Sequence, residues 1–435
     1  MQIQIKPEIR FDLRCPACVA VGPHPNHVLF LGMHTLADCH CGACGLNFYH
    51  TLPVGHALLF PVAFTRYPRQ DYYPPRAGGW FAQPLLDSFF KHAPVEAALY
   101  KIVYRTCDQV ILLNCLDNCY GHALLKLLNA QPCLDRLAAT ETGLVVIVPR
   151  FMRWLVPDGV AEVWSVDLPL RELNRWIQSF DSFVRTELER FSRVWICPAN
   201  THPDSTGIDL ERFTRTKRFD LSRFYDQTPR VTFVCREDRF WLRYPWEGFI
   251  WRGCVKLRKT EWVRPWLVRR QNRLVARTSQ LIARGLPGVR FTAVGLGRTG
   301  GFPPGIADRR TGAMTDELEK KWCRIYAESH LISGVHGSHL LLPTALAAGF
   351  VEILPRHKID HLAEDVTLAY TNRYRPFLGR FLDEFASPRL VARHACSMIK
   401  NFPYWQLNTE EFLLKDETPE AIKDKYRSYL STMGG

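Results

Sequence analysis

Four of the fourteen cysteines in this chain of 435 residues form two Cys-x-x-Cys pairs, Cys15 with Cys18 and Cys41 with Cys44, the second followed at once by Gly45. Thiolates at this spacing converge on one tetrahedral cation, so the pairs point to a structural zinc ribbon. Four sulfur ligands leave no open coordination position, and no catalytic metal is expected. In a short segment rich in Cys, His, Pro and Gly, the metal supplies stability that a small core cannot. Cys39, His40 and His34 lie close enough in sequence to replace the fourth ligand.

A second set of residues has the chemistry of anion binding. Gly334-Val335-His336-Gly337-Ser338-His339 joins a short apolar run to a helix-like run from about Leu340 to Ala348, and a strand-like run with one acid, Glu352, follows. Backbone N–H groups at a helix start can meet an anion, and small residues let a diphosphate come close. Arg236 and Arg239 directly follow a strand, Arg230–Cys235, where guanidinium groups can clamp phosphate oxygens. Pairing of these arginines with Glu237 and Asp238 is the structural alternative. His122, at the start of a helix, is a candidate general base for a hydroxyl, with Asp117 second. A lone histidine there also serves as a cap or a packing residue.

Elements that could position these groups follow from hydrophobic patterning. Strand-like runs at 109–113, 144–148, 160–166 and 193–197 alternate with helical stretches at 121–129 and 170–191, which implies a parallel sheet covered on both faces. A fresh strand at Arg230 opens a second α/β set, with a basic helix over 264–284, a strand at 289–294 and a helix over 316–328. The expected organisation is a zinc-ribbon-like module over 1–60, a Rossmann-like domain over 61–225, a second over 226–400 and a helical tail over 401–435, with a cleft between the two α/β domains. Gly295-Leu-Gly297-Arg-Thr-Gly300-Gly301 follows a strand, but Pro303 and Pro304 stop a helix from opening after it, so it is expected as a loop over the cleft. Trp241, Trp246, Trp251, Trp262 and Trp266 are expected to pack inside the domains rather than to line a carbohydrate or nucleic-acid surface.

Composition bounds the rest. A 47% apolar and 23% charged chain without low-complexity tracts builds large cores. The formal charge of +13, concentrated as arginine in the second half, suits an anionic partner. Residues 1–14 lack the apolar stretch of a secretory signal, and no run suits a spanning helix, so the chain reads as cytoplasmic, soluble or peripheral to a membrane.

Arg236 and Arg239 after a strand, the Gly-Val-His-Gly-Ser-His turn and the Gly-Phe-Val-Glu-Ile-Leu-Pro strand together resemble glycosyltransferase family 61. Ser338 and His339 stand where the family pattern has Ala and Gly, Cys235 where it has Ser, and its Asn is absent. Asn118-Cys-Tyr-Gly-His122 is similar to the family's Asn-x-x-His element, one residue longer. The resemblance covers roughly residues 105–380 and leaves the cysteine-rich segment unexplained. It implies a GT-B arrangement of two Rossmann-like domains and an inverting, metal-independent transfer from a nucleotide sugar to a glycan, lipid-linked or protein acceptor. On that reading Arg236 and Arg239 neutralise the diphosphate, Gly337 and Ser338 approach it, His336 positions the donor or meets the phosphate, and Glu352 fixes the turn or contacts the ribose. His339 completes the donor-binding turn. An anionic membrane surface is a further candidate partner. A zinc-ribbon nucleic-acid-binding protein on an α/β scaffold, and a GT-B fucosyl- or heptosyltransferase of another lineage, are the alternatives.

Overall fold

Val110–Leu113 and Leu144–Val148 are apolar on both faces of any strand they form, and strands of that kind are stable only inside a sheet covered on both sides. The computed structural model, which describes residues 2–11, 13–22, 24–91, 94–362, 368, 375–413, 424 and 427, places both runs at the centre of such a sheet. The chain divides into two compact units, Met1–Asp204 with Arg212–Thr214, and Ser205–Glu211 with Arg215–Gly435.

The first unit contains, in chain order, β1 (Ile3–Lys6), β2 (His24–Phe30), β3 (Thr35–His40), β4 (Asn47–Thr51), β5 (Ala63–Thr65), β6 (Gln70–Tyr72), α1 (Gln83–Phe90), β7 (Ala98–Val103), β8 (Gln109–Asn114), α2 (Tyr120–Leu128), α3 (Ala130–Leu137), β9 (Gly143–Pro149), β10 (Glu162–Asp167), α4 (Phe180–Leu188) and β11 (Arg193–Ile196). Strands β11, β8, β9 and β10 run parallel in that spatial order, and antiparallel β1 and β7 close the two edges. Strands β2 to β6 form a separate antiparallel meander.

Residues 1–60 are not a free-standing module. Strand β1 completes the large sheet, and the meander is fastened to the rest of the unit by polar contacts. Asn114 Nδ2 donates to Gly32 O at 2.8 Å, Gly55 N to Pro198 O at 2.7 Å, and Phe30 N to Asp181 Oδ1 at 2.7 Å. The long helix expected over 170–191 is shortened to α4 for a related reason. Trp176 N is taken by Ser88 Oγ at 2.6 Å and Ile177 N by Leu31 O at 3.2 Å, so this backbone bonds other segments instead of itself.

A short helix, α5 (Glu211–Thr214), lies where the chain changes units, ahead of the boundary expected at 225. The second unit continues with β12 (Arg230–Val234), α6 (Pro245–Lys256), α7 (Thr260–Gly285), β13 (Arg290–Val294), β14 (Ile306–Asp308), α8 (Asp316–Ala327), β15 (Leu331–Val335), α9 (Leu341–Leu346), β16 (Gly349–Leu354), α10 (Arg375–Leu378), β17 (Gly379–Asp383) and α11 (Pro388–Leu413). Its sheet runs β14-β13-β12-β15-β16-β17 with every neighbour parallel. Numbered within the unit, that is 3-2-1-4-5-6, the doubly wound order of dinucleotide-binding sheets.

Side chains of the sheet, such as Phe233, Leu331 and Val351, pack with Ile282 of α7 and Ile399 and Phe402 of α11 into one core. Beyond Leu413 the tail expected over 401–435 lies outside the described residues, save 424 and 427. Among the described residues no helix is long and apolar enough to cross a membrane.

Candidate functional site

The two cysteine pairs sit on matching backbone turns. Val19 N donates to Cys15 O at 3.0 Å, and Gly45 N to Cys41 O at 2.8 Å. Cys15 and Cys44 sulfurs are 3.6 Å apart, as are those of Cys18 and Cys41, and all four lie within 4.8 Å of one another. Zinc–sulfur bonds of about 2.3 Å in a tetrahedron put the sulfurs roughly 3.8 Å apart, so the donor set fits a zinc-like cation. Among the described residues none of the three substitutes joins this group. Cys39 is buried in β3, where desolvation pushes its thiol up to about 12, and His40 Nδ1 bonds Asn47 Oδ1 at 2.8 Å. His34 is buried beside a different cluster.

That cluster gathers on the first unit's parallel sheet, just past the carboxyl end of β8. Asn114 Oδ1 accepts Leu116 N at 3.0 Å, and Asp117 Oδ1 accepts Cys119 N at 3.0 Å, so the turn into α2 is fixed by its own side chains. Asp117 is completely buried. Lys126, one and a half turns into α2, brings Nζ to 2.8 Å from Asp117 Oδ2 and donates to Leu116 O at 2.8 Å. His122 Nδ1 lies 3.5 Å from Oδ1, and His56 Nε2 lies 3.2 Å from Oδ2. His202, which follows β11, has its ring 6.1 Å from that of His122. Since β8 and β11 are neighbours from which the chain departs in different directions, the cluster occupies the place where open α/β sheets hold ligands.

Electrostatics divides the cluster into distinct charge states. Burial would raise the Asp117 pKa, but the Lys126 charge, then bonding to His122 and His56, holds it well below the ordinary carboxylate value. Burial and the Lys126 charge push His34 down to about 3, and burial lowers His56 despite Asp117, so both are neutral at pH 7. Burial works against the charge of His122 as well. There, hydrogen bonding to Asp117 and Cys119 outweighs it and pushes the imidazole up to about 10. The Cys119 thiol is lowered in turn, contact with His122 overcoming burial. His56, Asp117 and His122 offer ligand atoms within 4.8 Å of one another, a spacing that admits a metal ion. The Lys126 ammonium already supplies positive charge to that carboxylate. Of His56, Asp117 and His122, it is His122, with about a quarter of its side chain exposed, that faces outward.

In the second unit, the predicted anion-binding residues come together where β12 and β15 lie side by side. Arg236 makes a two-pronged pair with Asp238, at 2.8 and 2.6 Å, which is the structural alternative the sequence allowed. Arg239 instead reaches across to β15 and donates from Nη1 to His336 O at 3.3 Å. A Cβ at Gly337 would fall 1.5 Å from that Nη1, so the glycine makes room for the guanidinium. Ser338 opens a 3-10 turn, Ser338–Leu340, and α9 is only six residues long. Arginine side chains, rather than a long helix start, carry the positive charge here.

His336 and Glu352 form a fully buried pair, Nδ1 to Oε2 at 2.5 Å, joining the turn to β16 from beneath. That placement anchors the turn and sets both side chains away from the surface a ligand would touch. His339 is partly buried, and its Nε2 has no hydrogen-bond partner among the described residues. Burial, with the charges of Arg236 and Arg239, keeps its pKa well below the ordinary value, so it is a neutral imidazole beside two cations. Among the described residues Glu237 forms no ion pair with an arginine, and it accepts Thr299 N at 2.7 Å and Thr299 Oγ1 at 2.9 Å, tying down the glycine loop. Gly295, at φ 126°, lies where a Cβ would be 1.8 Å from Cys235 O, so loop and strand end touch.

His56, Lys126 and His202 escape sequence reasoning because neither spacing nor motif links them to Asp117. A buried lysine in the apolar helix Tyr120–Leu128 is the one visible trace, since an ammonium there requires a partner. No protein-family model matches the chain, and no curated protein matches it.

Proposed function

We propose that this chain is an inverting glycosyltransferase that moves a sugar from a nucleotide-sugar donor to a hydroxyl of a glycan, lipid-linked or protein acceptor. The observation that carries the reading is the second unit's sheet: a 3-2-1-4-5-6 parallel order with Arg239 held to the backbone of the Gly-Val-His-Gly-Ser-His turn at the β12–β15 switch point. Guanidinium groups, small residues and a neutral imidazole at that position suit a diphosphate.

In such a transfer the acceptor oxygen attacks the anomeric carbon, the carbon–oxygen bond to phosphate breaks, and its electron pair leaves with the diphosphate. Arg236 and Arg239 would stabilise that charge without moving. Arg236 would exchange its Asp238 partner for phosphate, or share itself between them. His336 and Glu352 would act on the donor through the turn they anchor. Within the first unit, His122, with Asp117 orienting the ring and stabilising the imidazolium as in other His–Asp pairs, is the candidate group for taking a hydroxyl proton. A base held at about 10 is protonated at neutral pH, so activity should climb with pH through the neutral range.

Thermal shift with a panel of nucleoside diphosphates and nucleotide sugars tests the donor half. Stabilisation of the parent, lost in Arg239→Ala, is expected. If no nucleotide moves the melting temperature, the proposal falls. A nucleic-acid-binding reading also has a specific observation behind it. A cavity of about 650 Å³ beside α8 is lined by Arg298, Arg309, Lys321 and Arg324. That reading predicts polynucleotide binding with a steep salt dependence.

A further inference from the structure

The helical hairpin of α6 and α7 has two apolar faces, and its own core uses only one. Its inner side packs Val263, Leu267 and Val268 against Phe240, with Leu242, Trp251 and Cys254 around them. On the outer side, Trp246, Phe249, Ile250, Gly253 and Leu257 recur at i, i+3, i+4, i+7 and i+11, the spacing of one helix face. Phe249 is 74% exposed, Leu257 69% and Trp262, at the start of α7, 76%. The stripe continues from one helix to the other. The Trp246 and Trp266 rings lie 5.7 Å apart, and Tyr244 stacks parallel to Trp246. Single exposed apolar side chains are ordinary, but a continuous aromatic and aliphatic surface of this kind marks an interaction site.

The charge around the stripe selects the partner. Arg252, Lys256, Arg258 and Arg269 are exposed around it, and Lys259 lies over the Trp262 ring at 4.5 Å. The acids of the hairpin are already engaged: Glu247 is buried on Arg270 at 2.8 Å, and Glu261 pairs with Arg264 at 3.0 Å. Tryptophan, phenylalanine and leucine rimmed by lysine and arginine match the boundary between lipid headgroups and acyl chains. A second copy of the same surface would bring like charges together, whereas an anionic bilayer neutralises them.

We propose that the α6–α7 hairpin docks this protein onto an anionic membrane surface, with Trp246, Phe249, Leu257 and Trp262 entering the interface and the surrounding cations meeting the headgroups. Docking of this kind is peripheral: it requires no spanning segment. It stands independently of the proposed sugar transfer.

Flotation of the full chain with phosphatidylcholine vesicles, with and without about one-third phosphatidylglycerol, tests it. Binding should need the anionic lipid and weaken roughly tenfold or more between about 0.05 and 0.5 M salt. The double variant Phe249→Ser/Trp262→Ser and, separately, Arg252→Glu/Lys256→Glu should each lower binding by about tenfold or more while the circular dichroism stays that of the parent. Tryptophan fluorescence of the parent should be quenched by brominated acyl chains. Absence of binding to anionic vesicles at low salt overturns the proposal. So does binding that both variants retain, or a concentration-dependent dimer that Phe249→Ser/Trp262→Ser abolishes in a protein that ignores vesicles.

Discussion

Asp117→Asn is the most informative single change, because the replacement keeps the shape of the side chain and removes only its charge. In the parent that charge is wholly buried, 2.8 Å from Lys126 Nζ, 3.2 Å from His56 Nε2 and 3.5 Å from His122 Nδ1. The variant strands the Lys126 ammonium in an apolar helix, and breaking one side of a buried pair typically costs about 3–5 kcal/mol. At 1.4 kcal/mol per decade, amide exchange in β8 and α2 should quicken by roughly two to three and a half orders of magnitude wherever exchange follows opening of this region. Hydrogen–deuterium exchange with mass spectrometry reads that quantity locally, and peptides from the second unit serve as an internal control. Lys126→Met on top of Asp117→Asn removes the stranded charge and should restore about 1–3 kcal/mol of the loss. If Asp117→Asn leaves exchange in β8 and α2 unchanged, or if Lys126→Met worsens it, then the pair does not hold the cluster and the electrostatic argument fails.

The same cluster sets a pH dependence. The His122 pKa is raised in the fold, so its contribution is fully present below about 6.5 and is lost as pH rises through about 10. An NMR titration of the His122 ring should show a midpoint near that value in the parent and a much lower one in Asp117→Asn; an unshifted ring refutes the assignment. Gly337→Ala should displace the Arg239 guanidinium and strain a backbone held at φ 157°. Nucleotide affinity should then fall about tenfold and the melting temperature should drop as well, as isothermal titration and thermal unfolding can check. Val19 holds φ 61° where the second knuckle has Gly45 at φ 74°. Val19→Gly relieves strain of roughly 1–3 kcal/mol and should raise the melting temperature. Cys44→Ser should cut bound zinc, measured by elemental analysis, well below the one ion per chain expected of the parent.

Elements whose information is local were legible in the sequence. The four central strands of the first unit and helices α2, α7 and α8 match their apolar periodicity to within a few residues, because burial on one or two faces dictates each pattern. The four-cysteine cluster was legible for the same reason: a short spacing fixes the ligands. Long-range pairings were not. Nothing near Ile3 announces that it will pair with Ile196, and nothing near His56 announces Asp117. The tryptophans show the limit of composition most clearly. Trp241 is buried and donates to Ala386 O at 2.9 Å, as expected of packing, whereas Trp246, Trp262 and Trp266 lie on the outside. Residue type alone could not separate them, since the hairpin's second apolar face appears only once its inner face has been assigned. At the turn that follows β15, the sequence drew Arg236 and Arg239 as equals. The backbone makes them different, because Asp238 is close enough to occupy the first and not the second.

Strand β1 pairs with β11, a partner about 190 residues further along the chain. During synthesis, β1 would therefore leave the ribosome long before the strand beside which it must settle. Cys15 and Cys44, by contrast, are only 29 residues apart and can close on a metal as soon as both have emerged. The ion would then act in time as well as in space. It would hold the early meander in its final shape through the interval in which β8, β9 and β10 assemble, so that β1 waits next to a finished scaffold as an edge in reserve. Zinc starvation during expression should accordingly lower the yield of folded protein more than stripping zinc after folding does.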